Sequence, residues 1–283
     1  MFSETHPTQG RRFINGKNAL VQAIPRIALR EPRKITREEL ELVHTPEYVS
    51  QVIDGFRSGE WSGQDADLAE LAQFFAGGTL DALDALLSGE TLTAVHLAGA
   101  KHHAQSDRSS GFCVFADLSI AAKIATSLGY RVAIFDFDAH HGDGTENLCR
   151  SNPDVLTFSV HQYGPGFYPG TGANDEPENQ VYNVPLPEDS GDDSLVKATQ
   201  RFITLAKEFA PDLIFVAAGG DGHETDPLAS LSYTTEGTYT ALRQLREAFP
   251  AAPILMGGAG GYQPDDFTPA MWAATAKALS THL

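Results

Sequence analysis

A chain of 283 residues, 42% hydrophobic and 20% charged, has the composition of an ordinary globular protein and is long enough to bury a large core. Its formal charge of −17 argues against a nucleic-acid surface, which needs a basic stripe, and no run of apolar residues is long enough to span a bilayer. The acidic balance would suit a cationic ligand, but it reads first as a device for solubility. Cys113 and Cys149 form no close-spaced pair, so no disulfide framework is expected and a reducing cytoplasm is the default.

The opening MFSETHPTQGRRFINGK is polar and lacks the apolar core of a signal peptide. Residues 1 to about 90 read as mostly helical, with HTPEYVSQVIDGF (44–56) and DLAELAQFFAGGTLDALDALLSG (67–89) as the candidates. Short apolar runs then recur: TAVHL (93–97), RVAIFDFD (131–138), VLTFSV (155–160), LIFVAAGG (213–220) and PILMGG (253–258). They are too short for most helices and read as buried strands. Helix-like segments separate them, at 117–129, 193–209, 234–249 and 268–280. Such alternation predicts a mainly parallel sheet with helices on both faces. Ligands then bind beyond the carboxyl ends of the strands.

The strand ends carry the chemistry. After RVAIF come Asp136, Asp138 and His140. Alternate residues of an extended strand point the same way, so Asp138 and His140 can converge as a two-ligand clip for a divalent metal. LIFVAAGG leads into a second Asp-X-His, Asp221-Gly222-His223. Asp221 is the natural third ligand; His223 would close the site, and its role stays open on spacing alone. One such pair reads equally well as a turn carboxylate, but two at the ends of two strands do not. TAVHL leads into AGAKHHAQ, where His102 and His103 can act as base and acid on either side of an activated water. Asp136 and Asp143 are placed to orient them. Tyr262, after the glycines that follow PILM, can donate to an oxyanion.

Together these blocks resemble the arginase/deacetylase superfamily, and specifically the histone deacetylase family. KHHA (101–104), SSGFCVFADLSIAA (109–122), FDFDAHHGDGT (135–145), FSVHQYGPGFYPGTG (158–172), AAGGDGHETDPL (217–228) and GGAGGYQPDDFTP (257–269) match in order. The resemblance implies one α/β catalytic domain over residues 1–283 with a central parallel eight-stranded sheet, its first 90 residues divergent. It implies Asp138, His140 and Asp221 as zinc ligands, and His102 and His103 as the proton-handling pair with Asp136 and Asp143 behind them. Tyr262 becomes the carbonyl-polarising group, and His223 is moved out of the ligand set. Asp136, Asp138, His140, Ser159 and Val160 correspond to a potassium site, and Gly111, Phe112, Tyr168 and Leu228 to an acyl-lysine channel. His141 is left without a catalytic role.

The chain also departs from the pattern. The family's opening strand and His-Pro-Glu-like loop have no clear counterpart in ETHPTQGRRF (4–13), and the carboxylate that grips substrate backbone has only Asp65 or Asp67 as candidates. Ala259 stands where many members have glycine. The implied activity is hydrolysis of an N-acetyl amide, acetyl-lysine first. An acetylpolyamine or other small acetylated amine is the second choice, and a catalytically inactive acetyl-amine binding protein the third. Zn²⁺ and Fe²⁺ both suit one imidazole and two carboxylates.

Overall fold

The computed structural model describes residues 9–280. Residues 4–8 of ETHPTQGRRF, and the opening polar segment before them, lie outside that range. Four helices come first: α1 (Arg11–Ala23), α2 (Arg37–Leu40), α3 (Pro46–Ile53) and α4 (Ala66–Leu87). The starts of α2, α3 and α4 are set by side chains. Thr36, Thr45 and Asp65 each accept a backbone N–H three residues on, and Thr36 with Glu39 completes a reciprocal cap. Asp65 is therefore the N-cap of α4, and Asp67 lies in its first turn.

From there strands and helices alternate. β1 (Thr93–His96), α5 (Asp117–Ser127), β2 (Val132–Asp136), α6 (Asp143–Cys149), β3 (Val155–Gln162) and β4 (Val181–Leu186) come first. They are followed by α7 (Asp192–Phe209), β5 (Leu213–Ala217), α8 (Thr235–Ala248), β6 (Ile254–Gly257) and α9 (Phe267–Leu279). All strand pairs are parallel, in the order β1-β6-β5-β2-β3-β4. Apolar clusters fill both faces. One packs the sheet against α1, α7, α8 and α9, the other against α3, α4 and α5.

The sheet among the described residues has six strands, which corrects the expected eight. The reason lies in the first 90 residues. Residues 25–36, PRIALREPRKIT, are interrupted by Pro25, Pro32 and four basic side chains, so they hold no continuous apolar run for a buried parallel strand. β4, not anticipated, is a sheet edge whose burial alternates, and there Pro185 is tolerated.

β1, β6, β5 and β2 are adjacent, so their carboxyl ends open onto one surface. Trp272 of α9 ties two of those ends together: its indole N–H lies 3.0 Å from the Ala218 carbonyl and 2.7 Å from that of Gly258.

Candidate active site

β2 ends at Asp136, so Asp138 and His140 lie in the loop beyond it, not on a continuing strand as expected. They converge because the loop is tied back on itself. Asp136 Oδ1 accepts the Asp138 N–H at 3.0 Å, and Asp138 Oδ1 accepts the His140 N–H at 2.9 Å. Asp221, just past the neighbouring β5, accepts the Ala139 N–H at 2.9 Å on Oδ1. Its Oδ2 lies 3.0 Å from His140 Nδ1, which is 3.2 Å from Asp138 Oδ1. One ligand atom from each of Asp138, His140 and Asp221 lies within 4.8 Å of the other two, and all three residues are buried.

The loop after β6 closes over this cluster. Gly260 donates its N–H to Asp138 Oδ2 at 2.6 Å. A Cβ at Gly260 would lie 2.4 Å from Asp221 Oδ2 and 2.6 Å from Asp138 Oδ2, so only glycine permits the approach. Ala259 takes a left-handed conformation, φ +49°, where glycine would be easier.

Two buried carboxylates around one imidazole are a donor set for a divalent cation. Their electrostatics agree. Burial, then the field of Asp138, lifts the Asp221 carboxyl to about 6. Burial opposes charge on His140, but hydrogen bonds to Asp138 and Asp221 outweigh it and raise the imidazole to about 10. The site wants positive charge at its centre, and the residues fit a metal.

His102 and His103 face this cluster from the loop after β1. Asp117 at the start of α5 pins that loop by accepting the N–H groups of Ala100 at 2.8 Å and Lys101 at 2.6 Å. Each imidazole has its own carboxylate. His102 Nδ1 donates to Asp136 Oδ2 and His103 Nδ1 to Asp143 Oδ1, both at 2.7 Å. Asp143 is the first residue of α6, and the adjacent turn is held by Thr145 N–H on the His102 carbonyl. The rings lie 4.0 Å apart, so both cannot easily be charged at once. Burial disfavours the His102 imidazolium, but the charges of Asp136 and Asp138 overcome it and lift the group to about 9. Burial and the neighbouring His102 charge push His103 down to about 4.

Tyr262 lies beyond Gly260 and Gly261, with its ring 6.0 Å from that of Phe112. Burial holds its phenol well above the usual range, so it is a proton-bearing donor. Tyr168 sits opposite, its ring 5.0 Å from His103, with its hydroxyl 2.7 Å from Ser110 Oγ. A Cβ at Gly111 would meet His103 Cδ2 at 2.4 Å. Leu228 stands at the exposed mouth. His223 is not in the ligand cluster; it stacks on Phe267 at 3.9 Å. His141 is bound between Thr171 Oγ1 and Glu146 Oε2. Of the residues matched to a potassium site, Asp136 and Ser159 are register partners bordering a cavity of about 220 Å³, counted to its open side, where the Thr157 hydroxyl has no partner. Asp138, His140 and Val160 do not border it.

Three neighbours of the site escaped sequence reasoning. Phe167 stacks on His140 at 5.0 Å with an interplanar angle of 12°. Asp226 accepts the N–H groups of Tyr262 at 2.9 Å and Leu228 at 3.0 Å, joining the Tyr262 loop to the mouth. Arg12 reaches from α1 to the Gly261 carbonyl at 2.8 Å. Phe167 and Asp226 stood inside quoted motif blocks, whereas nothing around Arg12 signals its contact.

A parallel α/β sheet with a buried Asp-His-Asp cluster able to hold a metal, and a carboxylate-backed His pair at its strand ends, has the arrangement of a hydrolase. The Histone deacetylase domain model matches residues 6–279, and the chain belongs to the histone deacetylase family. It is 32% identical over 299 residues to the acetoin utilization protein AcuC of Bacillus subtilis, covering 96% of this chain and 77% of the relative. It is 33% identical over 258 residues to a probable deacetylase of Archaeoglobus fulgidus, covering 86% and 71%. The crystal structure of the HDA15 HD domain superposes with a TM-score of 0.88 at 28% identity, covering 99% of this chain and 86% of that one. The protein is thus a hydrolase of the deacetylase type, from a metal-dependent family that acts on acetylated substrates. Among the described residues, no helix is long and apolar enough to cross a membrane.

Proposed function

We propose that the protein, acting as one catalytic domain, hydrolyses N-acetyl amides with Zn²⁺, and that its substrate is acetyl-lysine. The observation that carries this reading is the buried Asp138–His140–Asp221 cluster facing a His pair in which each imidazole has its own carboxylate. Asp138, His140 and Asp221 would hold the ion; Fe²⁺ suits the same donors. Bound there, it supplies Lewis-acid polarisation of the carbonyl and a lowered pKa for the attacking water, to about 7 in favourable sites.

The protein's own groups do the rest. Tyr262 hydrogen-bonds the carbonyl oxygen as charge grows on it, a contribution of about 3 kcal/mol to the transition state. His103, fixed through Nδ1 by Asp143, takes the water proton on its other nitrogen and delivers it to the leaving amine. Such positioned transfer typically gives about 10²–10⁴-fold. His102, held by Asp136, stays charged and stabilises the developing anion. Gly111, Phe112, Tyr168 and Leu228 line a channel that takes the four-carbon lysine chain and excludes water. Asp136 and Ser159, which border the small cavity beside β2 and β3, would help to hold a structural K⁺, a role that the resemblance extends to Asp138, His140 and Val160. Cys113 and Cys149, both free and buried, suit a reducing cytoplasm.

A second reading is an acetylated polyamine. Glu60 Oε2 accepts the Phe112 N–H at 2.8 Å, which sets a carboxylate beside the channel wall where a second ammonium group would be favoured. Acetate release from acetyl-lysine peptides and acetylpolyamines side by side, with Asp221→Asn as control, tests both. Release that survives the substitution contradicts the mechanism.

A further inference from the structure

Beside the reaction centre lies a cleft of about 450 Å³, counted to its open side. Its wall is mostly apolar, with Phe13, Trp61, Leu68, Phe75, Phe112 and Phe115. Two cations interrupt it, Arg12 at 1% exposure and Lys101 at 9%. Arg12 spends Nη1 on the Gly261 carbonyl, while its Nε is buried with no hydrogen-bond partner. The Lys101 ammonium has only aromatic faces, 5.9 Å from the Phe13 centroid and 5.3 Å from that of Phe75. Among the described residues neither cation forms an ion pair. The nearby Asp117 carboxylate is committed to two backbone N–H groups and the Thr79 hydroxyl. Two buried cations in an apolar wall are costly unless an anion completes them.

The cleft also adjoins the reacting groups. Lys101 directly precedes His102 and His103. Phe112 lines the cleft and packs against Tyr262, and the Arg12 guanidinium lies 5.8 Å from the Tyr262 ring centroid. From this placement we infer that the cleft receives the acyl half of the substrate. Its preferred acyl groups are short dicarboxylic ones, succinyl or glutaryl, whose distal carboxylate sits between Lys101 and Arg12. The inference rests on the amide-hydrolase reading above.

The planar guanidinium and the ammonium suit a carboxylate, and the aromatic wall takes the methylenes. Burial, then repulsion from Arg12, pushes the Lys101 ammonium down to about 8, and a bound anion would restore it. In the reaction, the water oxygen adds to the acyl carbon, the C–N bond breaks and the amine nitrogen takes a proton. The products are a free amine and a dicarboxylate. A butyryl group fills the same wall but leaves both cations unpaired.

The test compares acetyl-, butyryl-, succinyl- and glutaryl-lysine peptides with zinc-loaded wild type and Lys101→Met. In parallel, glutarate and butyrate are tested for their effect on the melting temperature of the metal-free full chain. The expected result is a kcat/KM for succinyl or glutaryl about ten-fold or more above butyryl. That ratio should collapse in Lys101→Met, and glutarate alone should raise the wild-type melting temperature. Butyryl equal to or better than both dicarboxylic groups, with no glutarate shift, overturns the inference while leaving acetyl hydrolysis standing. If no peptide is cleaved, the hydrolase reading fails instead. The glutarate shift then decides the cleft by itself: its presence supports the anion site and its absence refutes it.

Discussion

At the floor of the site every carboxylate oxygen of Asp138 and Asp221 lies within hydrogen-bonding distance of a nitrogen, whereas at the mouth Tyr168 and Leu228 are 44% and 37% exposed. The floor is fixed by backbone donors from two loops, those after β2 and β6, and by the glycine that allows the second one near. The mouth is made of side chains with solvent on one side, held by the Tyr168–Ser110 hydrogen bond and by the Leu228 N–H on Asp226. The difference teaches where chemistry and choice of substrate reside. Floor residues cannot move without losing hydrogen bonds in a low dielectric, so they suit a fixed reaction. Mouth residues can be exchanged at little cost to the fold, so they suit selection among substrates.

The contrast can be broken at either end. The largest effect is expected at the floor. Asp221→Asn should cost several kcal/mol of transition-state stabilisation, about 10³-fold or more in kcat/KM, with the bound-metal stoichiometry falling in parallel. Equilibrium dialysis and acetate release measure the two together. Tyr262→Phe should come next, lowering kcat by about 10²–10³-fold with metal content unchanged.

A third effect separates fold from chemistry. His44, between the first helices and the His102–His103 loop, is fixed as a neutral ring. Its Nδ1 donates to the Gln105 carbonyl at 2.9 Å, and its Nε2 accepts the Ala116 N–H at 3.0 Å. Burial depresses it from 6.5 to about 4. The unfolded chain therefore binds the extra proton first. The stability from neutral His44 is fully present above about pH 6.5 and is lost as pH falls toward 4, by about 3 kcal/mol in all. His44→Gln should be less stable at pH 7, and its urea midpoint should fall less between pH 6.5 and 4 than the wild type's. Parallel pH curves would contradict this. The smallest effect belongs to the mouth: Leu228→Ala should leave stability within about 0.5 kcal/mol and alter KM only a few-fold.

What could be read from the chain follows the same division. β2, β3, β5 and β6 were legible because a strand buried on both faces leaves a short apolar run bounded by polar turns, and β1, the other edge, was legible because TAVHL is itself a short apolar run. β4 was not, since an edge strand with Pro185 and alternating burial has no such run. α1 and α6 escaped because α1 is rich in polar residues and α6 spans only seven residues. At the site, two Asp-X-His pairs at strand ends are local patterns, and the fold does bring Asp138, His140 and Asp221 together. Arg12 meets Gly261 across 249 residues of sequence, a contact that no local spacing encodes. Phe167 beside His140 and Asp226 beneath Tyr262 likewise acquire meaning only from packing.

The central claim is that one divalent ion, held by Asp138, His140 and Asp221, is needed for amide hydrolysis. The most direct measurement is a zinc titration of chelator-treated protein, following ion binding and acetate release from an acetyl-lysine peptide in the same samples. The account expects one equivalent bound, activity rising in step with it, and neither in Asp221→Asn. Activity that ignores the titration, or a full equivalent bound without release of acetate, would contradict it.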